Sequence, residues 1–100
     1  MPTILITAPP DAAAGLARLL VEERLAACVN RVDCRSTYRW DGNVCEDPEE
    51  ILLAKTESGR VADLVDRVEE EHPHDTPCIE RFDEDVLVRA YERWRDDAVL

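Results

Sequence analysis

Val29-Asn30-Arg31-Val32-Asp33-Cys34-Arg35-Ser36-Thr37-Tyr38-Arg39-Trp40, then Asp41-Gly42-Asn43, then Val44 through Thr56, is the stretch whose reading decides the fold. Asp-Gly or Gly-Asn between two extended runs signals a hairpin, because tight two-residue loops need positive φ that these residues tolerate. Two long strands, 29–40 and 44–56, are therefore expected to pair antiparallel. With Asp41-Gly42 as the turn, Cys45 falls opposite Tyr38; with Gly42-Asn43 it falls opposite Trp40. Ile51-Leu52-Leu53-Ala54 is continuously apolar. That pattern predicts a central strand covered on both faces.

The elements on either side complete the topology. Residues 3–8 are β-branched and apolar, which predicts a buried strand, and Pro9-Pro10 stops it. Asp11 is the expected N-cap of an alanine-rich helix with Leu16, Leu19 and Leu20 on its inner side and Glu22, Glu23 and Arg24 in water. Ser58 is the expected cap of a second helix, in which Val61, Leu64, Val65 and Val68 repeat at helical spacing. That helix ends at His72-Pro73, because proline disfavours helix in the residue before it. A fourth strand is predicted over 78–82. A closing helix is predicted over 86–95, with Val86, Ala90, Tyr91 and Trp94 on one side. The order β-α-β-β-α-β is the split, ferredoxin-like α+β arrangement with an extra C-terminal helix. The handedness rule puts both main helices on one face of the sheet.

Size and charge bound the function. A chain of 100 residues reads as one domain, 1–100. A core this small gains from oligomerisation. The hydrophobic fraction of 45% argues against disorder, and the net charge of −11 argues against nucleic acid or anionic lipid as partner. All the basic side chains are arginines except Lys55. Abundant Asp and Glu with one lysine predicts adaptation to high internal salt, where screening shortens to about 3 Å near 1 M; the alternative is an ordinary acidic protein. No apolar run approaches the roughly 20 residues of a membrane span. Met1-Pro2-Thr3-Ile4 lacks the basic start of a secretory signal, so the expected compartment is the cytoplasm. The cysteines at 28, 34, 45 and 78 fit no zinc-finger spacing and default there to thiols.

Several segments now stand together in a fixed order: Glu22-Glu23-Arg24-Leu25-Ala26-Ala27-Cys28-Val29-Asn30, Ser36 to Asp41, Lys55-Thr56, His72-Pro73, and the closing Tyr91 and Trp94. This ordered set, spanning Asp11 to Trp94, closely resembles the divalent-cation tolerance family (CutA), small trimeric proteins of ferredoxin-like fold. The resemblance implies a homotrimer associated with copper or another divalent cation, without catalytic activity. It implies Cys28 and His72 as metal-contacting candidates, and Asn30, Tyr38, Trp40, Lys55 and Thr56 as residues of a subunit interface or pocket; His74 is a further metal candidate read from this chain alone, either an extra ligand peculiar to it or only a surface substitution. His74 stands where the family usually has tyrosine, Asp75 replaces a glutamate, and Cys78 sits where an acidic residue is common.

Each candidate also has a plain structural reading. Cys28, between small apolar neighbours, is either a buried residue or a soft thiolate ligand suited to Cu(I) or Zn(II). His72 and His74 either complement a helix C-terminus or form a borderline metal site with Asp75. Cys28 and Cys34 share strand parity but lie roughly 20 Å apart along an unbroken strand. A site using several thiols therefore calls for different subunits. Tyr38 and Trp40, exposed near a hairpin tip, call for a partner surface. The runs 46–50 and 69–71 read as solvated acid. Cys28 with His72 could pair as nucleophile and base, but no oxyanion site or phosphate-cradling loop accompanies them. The competing functional class is a trimeric signalling module that binds a small ligand or a partner protein between subunits.

Overall fold

The computed structural model describes residues 2–100; Met1, at the head of the expected first strand, lies outside them. The chain runs β1 (Pro2–Ala8), α1 (Pro10–Glu22), β2 (Cys28–Trp40), β3 (Asn43–Lys55), α2 (Val61–Glu71), β4 (Ile79–Asp83) and α3 (Arg89–Ala98). The sheet order is β2-β3-β1-β4, with every neighbouring pair antiparallel. This is the α+β, ferredoxin-like arrangement expected from the order of elements, with α3 as the extra helix.

The hairpin sets the register of the whole sheet. Trp40 pairs with Asn43, so Asp41-Gly42 is the turn, and Tyr38 faces Cys45. Asp41 and Gly42 both take positive φ, 49° and 78°. That combination matches a two-residue turn whose twist follows the strands it joins. β2 and β3 pair over all 13 residues each, whereas β1 pairs with β3 only from Thr3 to Ala8. The outer half of the hairpin therefore projects past its neighbours, and the chain measures 46 × 26 × 19 Å along its principal axes.

Strand alternation separates the two faces of the sheet. Ile4, Ile6, Ala8, Leu52 and Ala54 point to one side and pack with Ala13, Leu16, Leu20, Leu64 and Val68 into the buried core. On the other side Leu5, Ile51 and Leu53 are half-buried, while Val32 and Phe82 remain exposed. The continuous apolar run of β3 is thus fully buried on one face and half-buried on the other within a single chain. That corrects the expectation of burial on both.

Local signals account for the helix ends, with several departures from expectation. α1 begins two residues earlier than an Asp11 cap requires: Pro10 opens it, and the Pro9 carbonyl accepts from the amides of Ala12 and Ala13. Pro suits the first helical position because its missing N–H would be unpaired there anyway. α1 ends with Arg24 at φ 59°, the Leu25 amide donating to the Leu20 carbonyl and the Arg24 amide to Val21. This is a Schellman closure with arginine where glycine is usual. Ser58 does not cap α2; the Glu57 carboxylate accepts from the Gly59 amide, and a 3-10 turn, Ser58–Arg60, leads into the helix. α3 starts at Arg89 rather than Val86 and buries Arg95, while Tyr91 and Trp94 stay partly exposed.

Nor are the acidic runs simply solvated. Glu50 is buried and accepts a two-point contact from Arg31, Nε to Oε1 at 2.7 Å and Nη2 to Oε2 at 3.0 Å. The contact holds the Glu50 carboxyl below its ordinary range. Arg67 bridges Glu23 at the end of α1 to Glu70 and Glu71 on its own helix. The Arg60 side chain donates to the Val99 carbonyl at 2.7 Å, tying the C-terminal segment to the entrance of α2.

Candidate functional site

A groove of about 610 Å³ lies between the hairpin and the loop that follows α2. β2 contributes Ser36, Thr37, Tyr38 and Trp40, and β3 contributes Glu49. The loop brings His74, Asp75, Thr76 and Cys78, and β1 adds Thr7. Even numbers on β2 and odd numbers on β3 share a face in this register, so Ser36, Tyr38, Trp40 and Glu49 converge. The loop approaches from the end of β1.

His72 holds that loop in place. Its ring is buried, with Nε2 2.8 Å from the Thr7 carbonyl and Nδ1 accepting from the His74 amide at 3.0 Å. A carbonyl can only accept and an amide N–H can only donate, so the proton sits on Nε2 and the Nδ1 lone pair is occupied. Neither nitrogen is free for a metal. The expectation of His72 as a ligand is corrected on this ground: it is an anchor. His74 is exposed on the groove side, its ring centroid 5.0 Å from that of His72.

Tyr38 donates its hydroxyl to Asp47 at 2.6 Å. That hydrogen bond, then desolvation and the charge of Asp47, pushes the phenol up to about 12. A raised phenol contributes stability that is fully present below its ordinary pKa and lost as pH rises through about 12. An ultraviolet titration should show a tyrosinate transition near that pH which is absent from Tyr38→Phe; a Tyr38 transition at the ordinary phenol value would mean that the Asp47 bond is not formed. At the far wall, burial first and Glu80 second push the Cys78 thiol upward, away from a reactive thiolate.

The remaining expected residues lie elsewhere. Cys28 pairs with Lys55 and so does Thr3, whereas Thr7 pairs with Ile51, four residues further along β3. Cys28 is therefore displaced from the histidine loop by roughly 13 Å along the strands. Its thiol points at Asn30 Oδ1, 3.9 Å away. Asn30 and Lys55 share its face of the sheet, Asn30 exposed and Lys55 half-buried. Thr56 is fully buried, its hydroxyl donating to the Leu25 carbonyl at 2.7 Å. It is a core residue, and the expectation that it belongs to an interface or pocket is corrected. Among the described residues, no three His, Cys, Asp or Glu side chains come together to hold a metal ion. Glu49 and Thr7 were missed as site residues; strand parity relative to Tyr38 was the signal that could have found them.

Residues 3–98 match the family model of the CutA1 divalent ion tolerance protein. The divalent-cation tolerance protein CutA of Thermus thermophilus is 49% identical over 78 residues, 76% of each chain. That of Pyrococcus horikoshii is 37% identical over 93 residues, 91% of each. The solved structure of the PII-like protein CutA from Nostoc sp. PCC 7120, in apo form, superimposes with a TM-score of 0.95 at 32% identity, covering 100% of this chain and 98% of that one.

Proposed function

Since the chain belongs to the CutA1 divalent ion tolerance family, we propose that it is a single-domain cytoplasmic homotrimer that binds copper or a similar divalent cation and catalyses no reaction. The observation that carries this reading is the second face of the sheet, where Leu5, Ile51 and Leu53 are only half-buried and Val32 and Phe82 are exposed; apolar surface left open in this way marks contact with other chains. The hairpin arm that projects beyond β1, with Trp40 57% exposed at its tip, reaches towards a neighbour. Closed threefold symmetry lets each arm dock on the next copy without leaving an open end.

The same assembly answers the dispersal of the donors. Cys28 and His74 are too far apart within one chain, so a cation site draws on more than one subunit. Thiolate and imidazole together favour copper or zinc over magnesium. No helix among the described residues is long and apolar enough to cross a membrane. A second reading, a signalling module for a small ligand, is favoured by the groove and by the PII-like description of the Nostoc relative.

Light scattering in molar KCl should return a mass of roughly three times 11.4 kDa, persisting on dilution as large obligate interfaces do. A mass near one subunit would overturn the assembly. The net charge of −11 predicts a thermal midpoint that climbs with KCl as repulsion is screened; a midpoint indifferent to salt would remove the halophilic reading. In copper titrations, Cys28→Ser and His74→Ala should each weaken binding by roughly tenfold or more, as expected for loss of a ligand or its support. Unchanged affinity in both would take these residues out of the site.

A further inference from the structure

The strand register puts all four cysteines on one face of the sheet. Cys28 shares a level with Lys55 and Thr3, Cys34 stands opposite Glu49, and Cys45 stands opposite Tyr38. Ile6 pairs with Ile79, so Cys78 falls level with Thr7, whose amide donates to its carbonyl. Each of these positions has the parity of Leu5, Ile51 and Leu53, the side away from the helices. All four are free thiols, and none belongs to the hydrophobic core. Cys34 and Cys45 differ from the other two because they ride on the arm that projects past β1. Their contacts within the chain are weak, 4.0 Å from Cys34 Sγ to Ser36 Oγ and 3.9 Å from Cys45 Sγ to the Asn43 carbonyl. Core packing therefore does not account for a cysteine at either place.

Within one chain these thiols stay apart. No two come closer than roughly 13 Å, since at least four residues along a strand or three strands across separate them. Among the described residues no three metal donors meet either. A second copy changes this. In a closed threefold ring the half-open sheet faces turn to one another, and each arm cysteine recurs three times around the axis. Thiolates are soft ligands that select Cu(I) over hard divalent ions. We propose that the arm thiols of neighbouring copies form Cu(I) sites between subunits, Cys34 with its symmetry copies at one level of the arm and Cys45 with its own at another. Each thiol gives up its proton as it ligates, so copper uptake weakens as pH falls. The inference rests on the threefold reading and goes beyond it in ligand set and oxidation state. Neither site exists in a single chain.

Anaerobic titration of the intact protein with Cu(I), in competition with a chromogenic Cu(I) chelator, tests this beside light scattering. About two Cu(I) per three chains are expected, one at each level. The paired variant Cys34→Ser/Cys45→Ser should weaken Cu(I) retention by roughly tenfold or more. Each single variant should keep about half of the copper, because one level survives; an assembly that had merely been disrupted would not divide the loss in this way. Cys78→Ser, on the same face but off the arm, is the control and should bind as the parent does. Three results would overturn the proposal: one Cu(I) per chain, which would place the site within a single subunit; unchanged retention in the paired variant; or an equal loss in Cys78→Ser. Unchanged retention in the paired variant, with copper binding lost in His74→Ala, would fell this inference and leave the Cys28 and His74 reading standing. A parent that scatters as one subunit would fell both.

Discussion

Leu20→Ala should lower the stability of the protein by about 2–5 kcal/mol, the cost of removing a large buried aliphatic side chain and leaving a cavity. Leu20 is 0% exposed and lies where α1, α2 and the covered face of the sheet meet. Its backbone carbonyl accepts from the amides of Leu25 and Ala26, and alanine preserves both bonds. The substitution therefore isolates packing from the turn that closes α1. Denaturant unfolding at fixed protein concentration measures it through the midpoint. A cost below about 1 kcal/mol would mean that neighbouring side chains collapse into the space, which close-packed interiors rarely permit.

His72→Ala should cost about 2–4 kcal/mol in metal-free protein, through a cavity and two hydrogen bonds lost at once. The Thr7 carbonyl would lose the ring N–H that it receives, and the His74 amide its acceptor. His74→Ala, at an exposed position, should fall within about 0.5 kcal/mol of the parent. The two histidines, two residues apart, thus separate into an anchor and a groove residue. Equal stability of His72→Ala and the parent without metal would return His72 to the list of free ligands.

Much of this was legible in the sequence because its causes are local. Asp41-Gly42 demanded a positive-φ turn, the turn fixed strand register, and register fixed which side chains share a face. The apolar periods around Leu16, Leu20, Leu64 and Val68 placed both main helices on the core. The ordered motifs from Asp11 to Trp94 carry the family resemblance in the sequence alone. Other features depended on partners distant in sequence, which periodicity cannot name. His72 meets the carbonyl of Thr7, 65 residues away, and Thr56 meets Leu25, 31 residues away. Glu50, read as solvated acid, is claimed by Arg31 across the hairpin.

Ile51-Leu52-Leu53-Ala54 shows the division most plainly. By itself the sequence determined that this strand is central and apolar on both sides. Only the tertiary structure decided that the helices close the side of Leu52 and Ala54 and leave Ile51 and Leu53 half-open. The physical reason is that hydrophobicity belongs to a residue, whereas burial belongs to whatever packs against it.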